Sequence, residues 1–276
     1  MPTIGSVNQV SNGYKHIMYE KDNRGVHRIT LNRPEKHNPA SAAVKYEMID
    51  AFHKVRDDKD ARIVVLTGAG KSFCSGRDMD EVADMTSPLN YFLDQITPKV
   101  YRAMNEVRVP IIAATKGWCL GVGVGFTLMC DIIVASEDTK FAWPEIIWDF
   151  LGPSVKLLKL GVPMCKAKEL AWIGDVYDAK EAWRLGLVNK VVPREKLEEE
   201  VEHYIKKLLK IHPTALILSK ISSKTAGDIP NLDAAGAFER ALYSIMLSVR
   251  KPSEVGVIRF RDKKERPYSD PDRKAG

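Results

Sequence analysis

The chain has 276 residues, 45% hydrophobic and 28% charged, with a formal net charge of +6. That length and composition suit one large domain, or one domain with a small helical appendage, around a real core. A nucleic-acid partner is not expected. Lys and Arg are spread along the chain, with one denser patch at Arg259, Arg261, Lys263, Lys264 and Arg266, so the charge better fits an enzyme for an anionic small molecule. The N-terminus lacks the apolar core of a secretory signal, and no apolar run approaches the ~20 residues of a membrane span. The four cysteines, Cys74, Cys119, Cys130 and Cys165, form no CxxC pair, and no histidines stand at metal-ligand spacing. They read as free thiols in a reducing compartment, with the cytoplasm as the expected location and no metal expected.

Residues 1–12 are polar and read as a loose N-terminus. HIMYE and VHRITL then read as two strands joined by KDNRG, whose Asn-Arg-Gly chemistry suits a hairpin. LNRPEKHNP is a loop punctuated by Pro and Asn. SAAVKYEMIDAFHKVRDD reads as an amphipathic helix, with Ser41 as N-cap and Val44, Met48, Ile49, Phe52 and Val55 on one face. RIVVLTG, VPIIAATKG and DIIVASE are short apolar runs typical of parallel strands covered on both faces. A second helix is expected over residues 90–106, and a third follows the glycines of GVGVGFTLMC. Alternating helices and buried strands argue an α/β fold with crossover connections. From about residue 155 the pattern reads as helical to the end. A core of residues 13–200 and a C-terminal helical region of 201–276 are therefore expected.

Two segments place glycines directly after a buried strand. VVLTGAGKSFCSGRD lacks the spacing of a phosphate-binding P-loop, and GVGVG is not the GxGxxG of a dinucleotide site. Both turns suit another use. The start of a helix exposes N–H groups without intrahelical acceptors, and two such turns facing each other offer two donors to a developing oxyanion. Thioester chemistry, in which an enolate or tetrahedral oxyanion must be held, needs that arrangement.

A third segment, FAWPEIIWDFLGP, sets Glu145 among Phe141, Trp143, Ile146, Ile147 and Trp148. Apolar surroundings raise a carboxyl's pKa toward the range useful for general acid/base work. Asp149 follows four residues later. On an α-helix it would share a face with Glu145 and raise that pKa further if ionised.

LNRPEKHNP, IVVLTGAGKSFCSGRDMDE, KGWCLGVGVGFTLMCDIIVASEDTKFAWPEI and GDVYDAKEAWRLGLVNKVVP, in this order, resemble the crotonase, or enoyl-CoA hydratase/isomerase, superfamily. The resemblance spans about residues 14–265. It implies an α/β fold of the crotonase type, a ββα spiral with a C-terminal helical region that forms trimers or dimers of trimers. It implies an acyl-CoA thioester as substrate, with coenzyme A part of that substrate and no separate cofactor. The oxyanion donors would be the backbone N–H groups of Arg77 and Val122. Lys36, Ser75, Gly76 and Asp78 would contact CoA, and Phe260 and Lys263 would reach the CoA of a neighbouring subunit.

One departure stands out. A typical hydratase carries two glutamates, and the first position is Gly125 here, leaving Glu145 alone. Enoyl-CoA isomerases and hydroxycinnamoyl-CoA hydratase-lyases also keep a single glutamate. Dienoyl-CoA isomerases add an Asp where this chain has Pro153. KGWCLGVGVGF and PEIIWD most resemble the hydratase-lyases, in which a C-terminal tyrosine contacts a phenolic substrate; Tyr243 lies in the corresponding region. The resemblance implies a hydratase or lyase acting on an enoyl-CoA with Glu145 as acid/base. Trp143, Trp148, Phe150 and Phe126 lean toward a bulky, cyclic or aromatic acyl group. Double-bond isomerisation, C–C bond hydrolysis using Asp149, and non-catalytic binding of acyl-CoA or RNA are the alternatives.

Overall fold

The computed structural model describes the backbone of residues 7–10 and, beyond it, residues 13–83, 96–150, 157, 161–226 and 228–249. Strands β1 (Val7–Val10), β2 (Ile17–Asp22) and β3 (Val26–Leu31) form an antiparallel meander, with Gly25 at φ 77° in the β2–β3 turn. The expected hairpin is present. The N-terminal segment, read as loose, contributes an edge strand through Val7–Val10.

β4 (Ile63–Gly68), β5 (Ile111–Thr115), β7 (Ile132–Ser136) and β10 (Lys190–Val192) extend β3 in parallel, giving a seven-stranded sheet in the order β1-β2-β3-β4-β5-β7-β10. A second sheet, β6-β8-β9, is built from Trp118–Leu120, Lys140–Ala142 and Tyr177–Asp178. β9 and β10 interrupt the segment expected to be helical throughout. At two and three residues they are too short to show a period.

The central strands are buried on both faces, as their unbroken apolar runs foretell. Val64, Leu66, Ile111 and Ala113 join one core, and Ile63, Val65, Ile112 and Ala114 join the other. On the first face lies α1 (Ala42–Asp57), which buries Val44, Met48, Phe52 and Val55 and packs on α3 (Ile96–Glu106). Ser41 caps α1 as expected, its side chain accepting from the Val44 N–H at 3.3 Å. Short helices α2 (Met79–Ala83), α4 (Val122–Thr127), α5 (Met164–Ile173) and α6 (Ala179–Arg184) follow the turns. The second face is covered by α7 (Leu197–Leu209), through Leu197, Val201 and Ile205.

The chain divides into two compact units, Met1–Pro213 and Thr214–Gly276. α7 belongs to the first. The second unit holds α8 (Pro213–Ala226) from Thr214 onward and α9 (Leu232–Ser248), tied by the Ser222 hydroxyl donating to Glu239 at 2.9 Å. α9 is capped by the Asn231 side chain and leaves Leu232, Tyr243, Ile245 and Leu247 exposed. Among the described residues no helix is long and apolar enough to cross a membrane.

Candidate active site

The two glycine turns lie side by side because main-chain hydrogen bonds tie them together. Cys74 and Cys119 form a parallel bridge, Cys74 N–H donates to the Trp118 carbonyl at 3.0 Å, and Leu120 N–H donates to the Cys74 carbonyl at 2.9 Å. Gly76 adopts φ 99°, and a Cβ there would come within 3.3 Å of the Leu120 carbonyl oxygen. Arg77 is the next residue, and Ala40 N–H donates to the Gly76 carbonyl at 2.8 Å. On the other turn Gly121, at φ 51°, is the N-cap of α4, and Val122 is its first residue. The Val122 N–H thus belongs to a helix start, where amides lack intrahelical acceptors.

Glu145 reaches these turns through β8. Gly121 N–H donates to the Ala142 carbonyl at 2.9 Å, at the end of that strand, and the chain then enters a 3-10 turn over Pro144–Trp148. A Cβ on Gly121 would meet Glu145 Oε1 at 2.7 Å, so the carboxyl lies directly against the glycine. Only glycine combines that positive φ with that clearance. Glu145 Oε2 is buried and accepts no hydrogen bond among the described residues. Burial pushes the carboxyl's pKa up, opposed by its own backbone N–H and by the positive charge of Arg77. Leaving a buried carboxyl oxygen without a partner costs stability.

Asp149 does not share Glu145's face. The segment is 3-10, with three residues per turn, and Asp149 ends it in the left-handed region at φ 62°, ψ 25°, exposed. It is not among the causes of the Glu145 shift. The aromatic residues of the segment also divide. Trp143 is buried and packs on Tyr177 at 5.8 Å between ring centroids, Phe126 is buried, Phe150 is partly covered and Trp148 is 57% exposed.

The expected CoA contacts cluster beside the first turn. Ser75 N–H donates to the His37 carbonyl at 2.9 Å and its hydroxyl to the Lys36 carbonyl at 3.3 Å, which brings the RPEKHN loop to CSGRD. Lys36 itself is exposed, its ammonium 2.9 Å from Asp80. The Asp78 carboxylate is buried in an ion pair with Arg33 at 2.5 Å, which commits it to holding the turn. Tyr243 lies on α9, in the second unit. Phe260, Lys263 and Pro153 lie outside the described residues.

The sequence reading missed Tyr101 and the steric role of Gly121. Tyr101, on α3, is partly buried, and its hydroxyl lies over Gly125: a Cβ built there would be 2.2 Å from the phenolic oxygen. Its ring meets Phe126 edge-on at 6.2 Å. The one available signal was a glycine inside an otherwise apolar helix, which marks a close approach without naming the neighbour. Cys74 and Cys119 are buried free thiols whose pKa burial raises, to about 12 for Cys74. Neither is a reactive nucleophile. No group of His, Cys, Asp and Glu suited to a metal occurs among the described residues.

Solved structures share this arrangement of elements. An enoyl-CoA hydratase subunit from Geobacillus kaustophilus superimposes with a TM-score of 0.84 at 31% identity, over 91% of this chain and 97% of its own. An enoyl-CoA hydratase from Mycobacterium smegmatis gives 0.85 at 29% identity, over 90% and 97%. By sequence, the chain is 32% identical to the probable enoyl-CoA hydratase echA8 of Mycobacterium bovis, over 91% of this chain and 96% of the relative. It is 30% identical to the crotonyl-CoA hydratase of Syntrophomonas wolfei, over 91% and 97%. The enoyl-CoA hydratase/isomerase family pattern matches residues 21–271. The chain belongs to the enoyl-CoA hydratase/isomerase family, the crotonase superfamily.

Proposed function

We propose that the protein is an acyl-CoA hydratase or lyase that acts on an enoyl-CoA thioester with Glu145 as its acid/base. The observation that carries this is the half-buried Glu145 carboxyl, its Oε2 buried and unpaired among the described residues and its Oε1 pressed against Gly121, the residue before Val122. The Arg77 and Val122 N–H groups hold the thioester oxygen as the enolate forms. Glu145 takes a proton from water as the water oxygen bonds to Cβ, and returns a proton to Cα as the enolate collapses. Burial raises its pKa, the direction that general acid/base work favours. Hydratase chemistry is favoured over isomerisation because the relatives that match over nearly their whole length are named as hydratases.

The finer parts of the reading are proposals too. The KGWCLGVGVGF and PEIIWD motifs support the hydroxycinnamoyl-CoA hydratase-lyase subgroup and a bulky or aromatic acyl group, with Tyr243 as a substrate contact. Lys36, Ser75 and Gly76 line the CoA path, with Asp78 bracing it. Phe260 and Lys263 serve a neighbouring subunit's CoA. The apolar residues exposed on α9 support assembly as a trimer or dimer of trimers.

Glu145→Gln tests the core of this reading. Turnover on a panel of enoyl-CoA thioesters, including crotonyl-CoA and an aromatic member, should fall by the ~10²–10⁴ of a lost general acid/base, with CoA affinity kept. Asp149→Asn is the comparison. If it is far more damaging than Glu145→Gln, the acid/base is Asp149 and hydrolysis gains. If neither changes turnover, the pocket serves binding alone.

A further inference from the structure

We propose that the Tyr101 hydroxyl is the polar group that meets the β-oxygen of the acyl chain, across the site from Glu145. The proposal rests on the acyl-CoA reading above and adds a residue to it.

The placement follows from α4. Its Gly125 N–H donates to the Gly121 carbonyl at 3.1 Å, so the two glycines are one helical turn apart, about 5 Å along the axis. Each glycine is a landing site for one polar group. Glu145 Oε1 lies 2.7 Å from a Cβ built on Gly121, and the Tyr101 oxygen lies 2.2 Å from one built on Gly125. Each would be crowded out by any larger residue. Carboxyl and phenol are thereby set over one short helix, about a turn apart. The Val122 amide starts that same helix.

The electrostatics agree. Burial keeps the phenol protonated, and the charges acting on it include Glu145, which reinforces this, and Arg77, which opposes it. Tyr101 is therefore within the field of the two residues already assigned to the site. A neutral phenol is not a base at neutral pH, but it donates one hydrogen bond and accepts others. In hydration the transferred proton passes from water to Glu145 and then to Cα, while the Tyr101 proton stays on its oxygen. Tyr101 fixes where the water oxygen sits before attack and holds the resulting β-hydroxyl. It sets position and specificity.

The test compares two CoA esters of equal chain length by calorimetric binding. Acetoacetyl-CoA carries a β-oxygen and butyryl-CoA does not. Tyr101→Phe keeps the ring and removes only the hydroxyl. It should weaken acetoacetyl-CoA binding about tenfold, the range of one lost hydrogen bond, and leave butyryl-CoA binding within about twofold. Gly125→Ala provides a second route, because its methyl must displace the hydroxyl without removing it, and the same selective loss is expected. If the wild-type protein binds both esters and both variants keep its ratio, the Tyr101 proposal is overturned while the acyl-CoA reading stands. If the wild-type protein binds neither ester, both readings fall. An equal loss for the two esters also overturns the proposal, since it marks a general disturbance of the pocket. If Tyr101→Phe does not fold, the outcome with Gly125→Ala decides.

Discussion

Adding one methyl group at residue 125 should be tolerated or not according to what stands at residue 101. In the wild-type protein the new Cβ would lie 2.2 Å from the Tyr101 oxygen, about 1 Å inside normal contact. Relieving that overlap means moving a partly buried ring packed on Phe126, an overpacking cost of about 1–3 kcal/mol. Against it stands the gain from Gly to Ala in a helix, about 1 kcal/mol, available because Gly125 is not among the positive-φ glycines. Gly125→Ala alone should thus range from neutral to about 2 kcal/mol destabilising. With Tyr101→Phe the nearest remaining atom is Cζ at 3.2 Å, a contact that a shift of a few tenths of an ångström relieves. There the same substitution should be stabilising by up to about 1 kcal/mol. The double-mutant cycle should therefore show about 1–3 kcal/mol of favourable coupling, read from urea midpoints at one protein concentration with unchanged slopes. Additivity within about 0.5 kcal/mol would refute the placement of the hydroxyl over Gly125.

Other expectations concern charge and assembly. Glu145→Gln should stabilise the protein at neutral pH even as it lowers turnover. The folded-state pKa is raised above the unfolded one, so the ionised carboxyl opposes folding, and this penalty is absent in acid and grows as pH rises through the folded pKa. The variant's advantage in thermal midpoint should accordingly appear between acidic and neutral pH; a constant offset across that range would mean that the carboxyl is not buried in its charged form. Lys36→Ala should raise KM with kcat unchanged and leave stability unaltered, because its pair with Asp80 is exposed. An unchanged KM would remove Lys36 from the CoA path. The native mass by light scattering should be a multiple of three chains, and a monomer at micromolar concentration would contradict the assembly proposed.

What the sequence revealed divides along physical lines. Long-period signals were legible. The α1 stripe with its Ser41 cap was read from spacing, and the doubly buried β4, β5 and β7 from their unbroken apolar runs. Features set by a few residues were not. β6, β8, β9 and β10 have at most three residues each, and their existence depends on partners far along the chain. The apolar company of Glu145 was visible in FAWPEIIW, but the face expected of Asp149 assumed an α-helix where the chain makes a tighter 3-10 turn. Tyr101 could not be found at all from local pattern, since only the tertiary approach of α3 to α4 gives its hydroxyl a place.

The ties between the two turns have a consequence for divergence. Trp118, Leu120 and Cys74 are joined through amides and carbonyls, groups that substitution of ordinary side chains does not alter. Side chains at 77 and 122 can therefore change while the main-chain ties between the two turns stay in place. What the frame does not accept is bulk at Gly121, where a Cβ would meet Glu145 Oε1 at 2.7 Å. Changes of reaction within such a lineage would then be written at a handful of inward positions, on a frame whose own upkeep is independent of which reaction is being run.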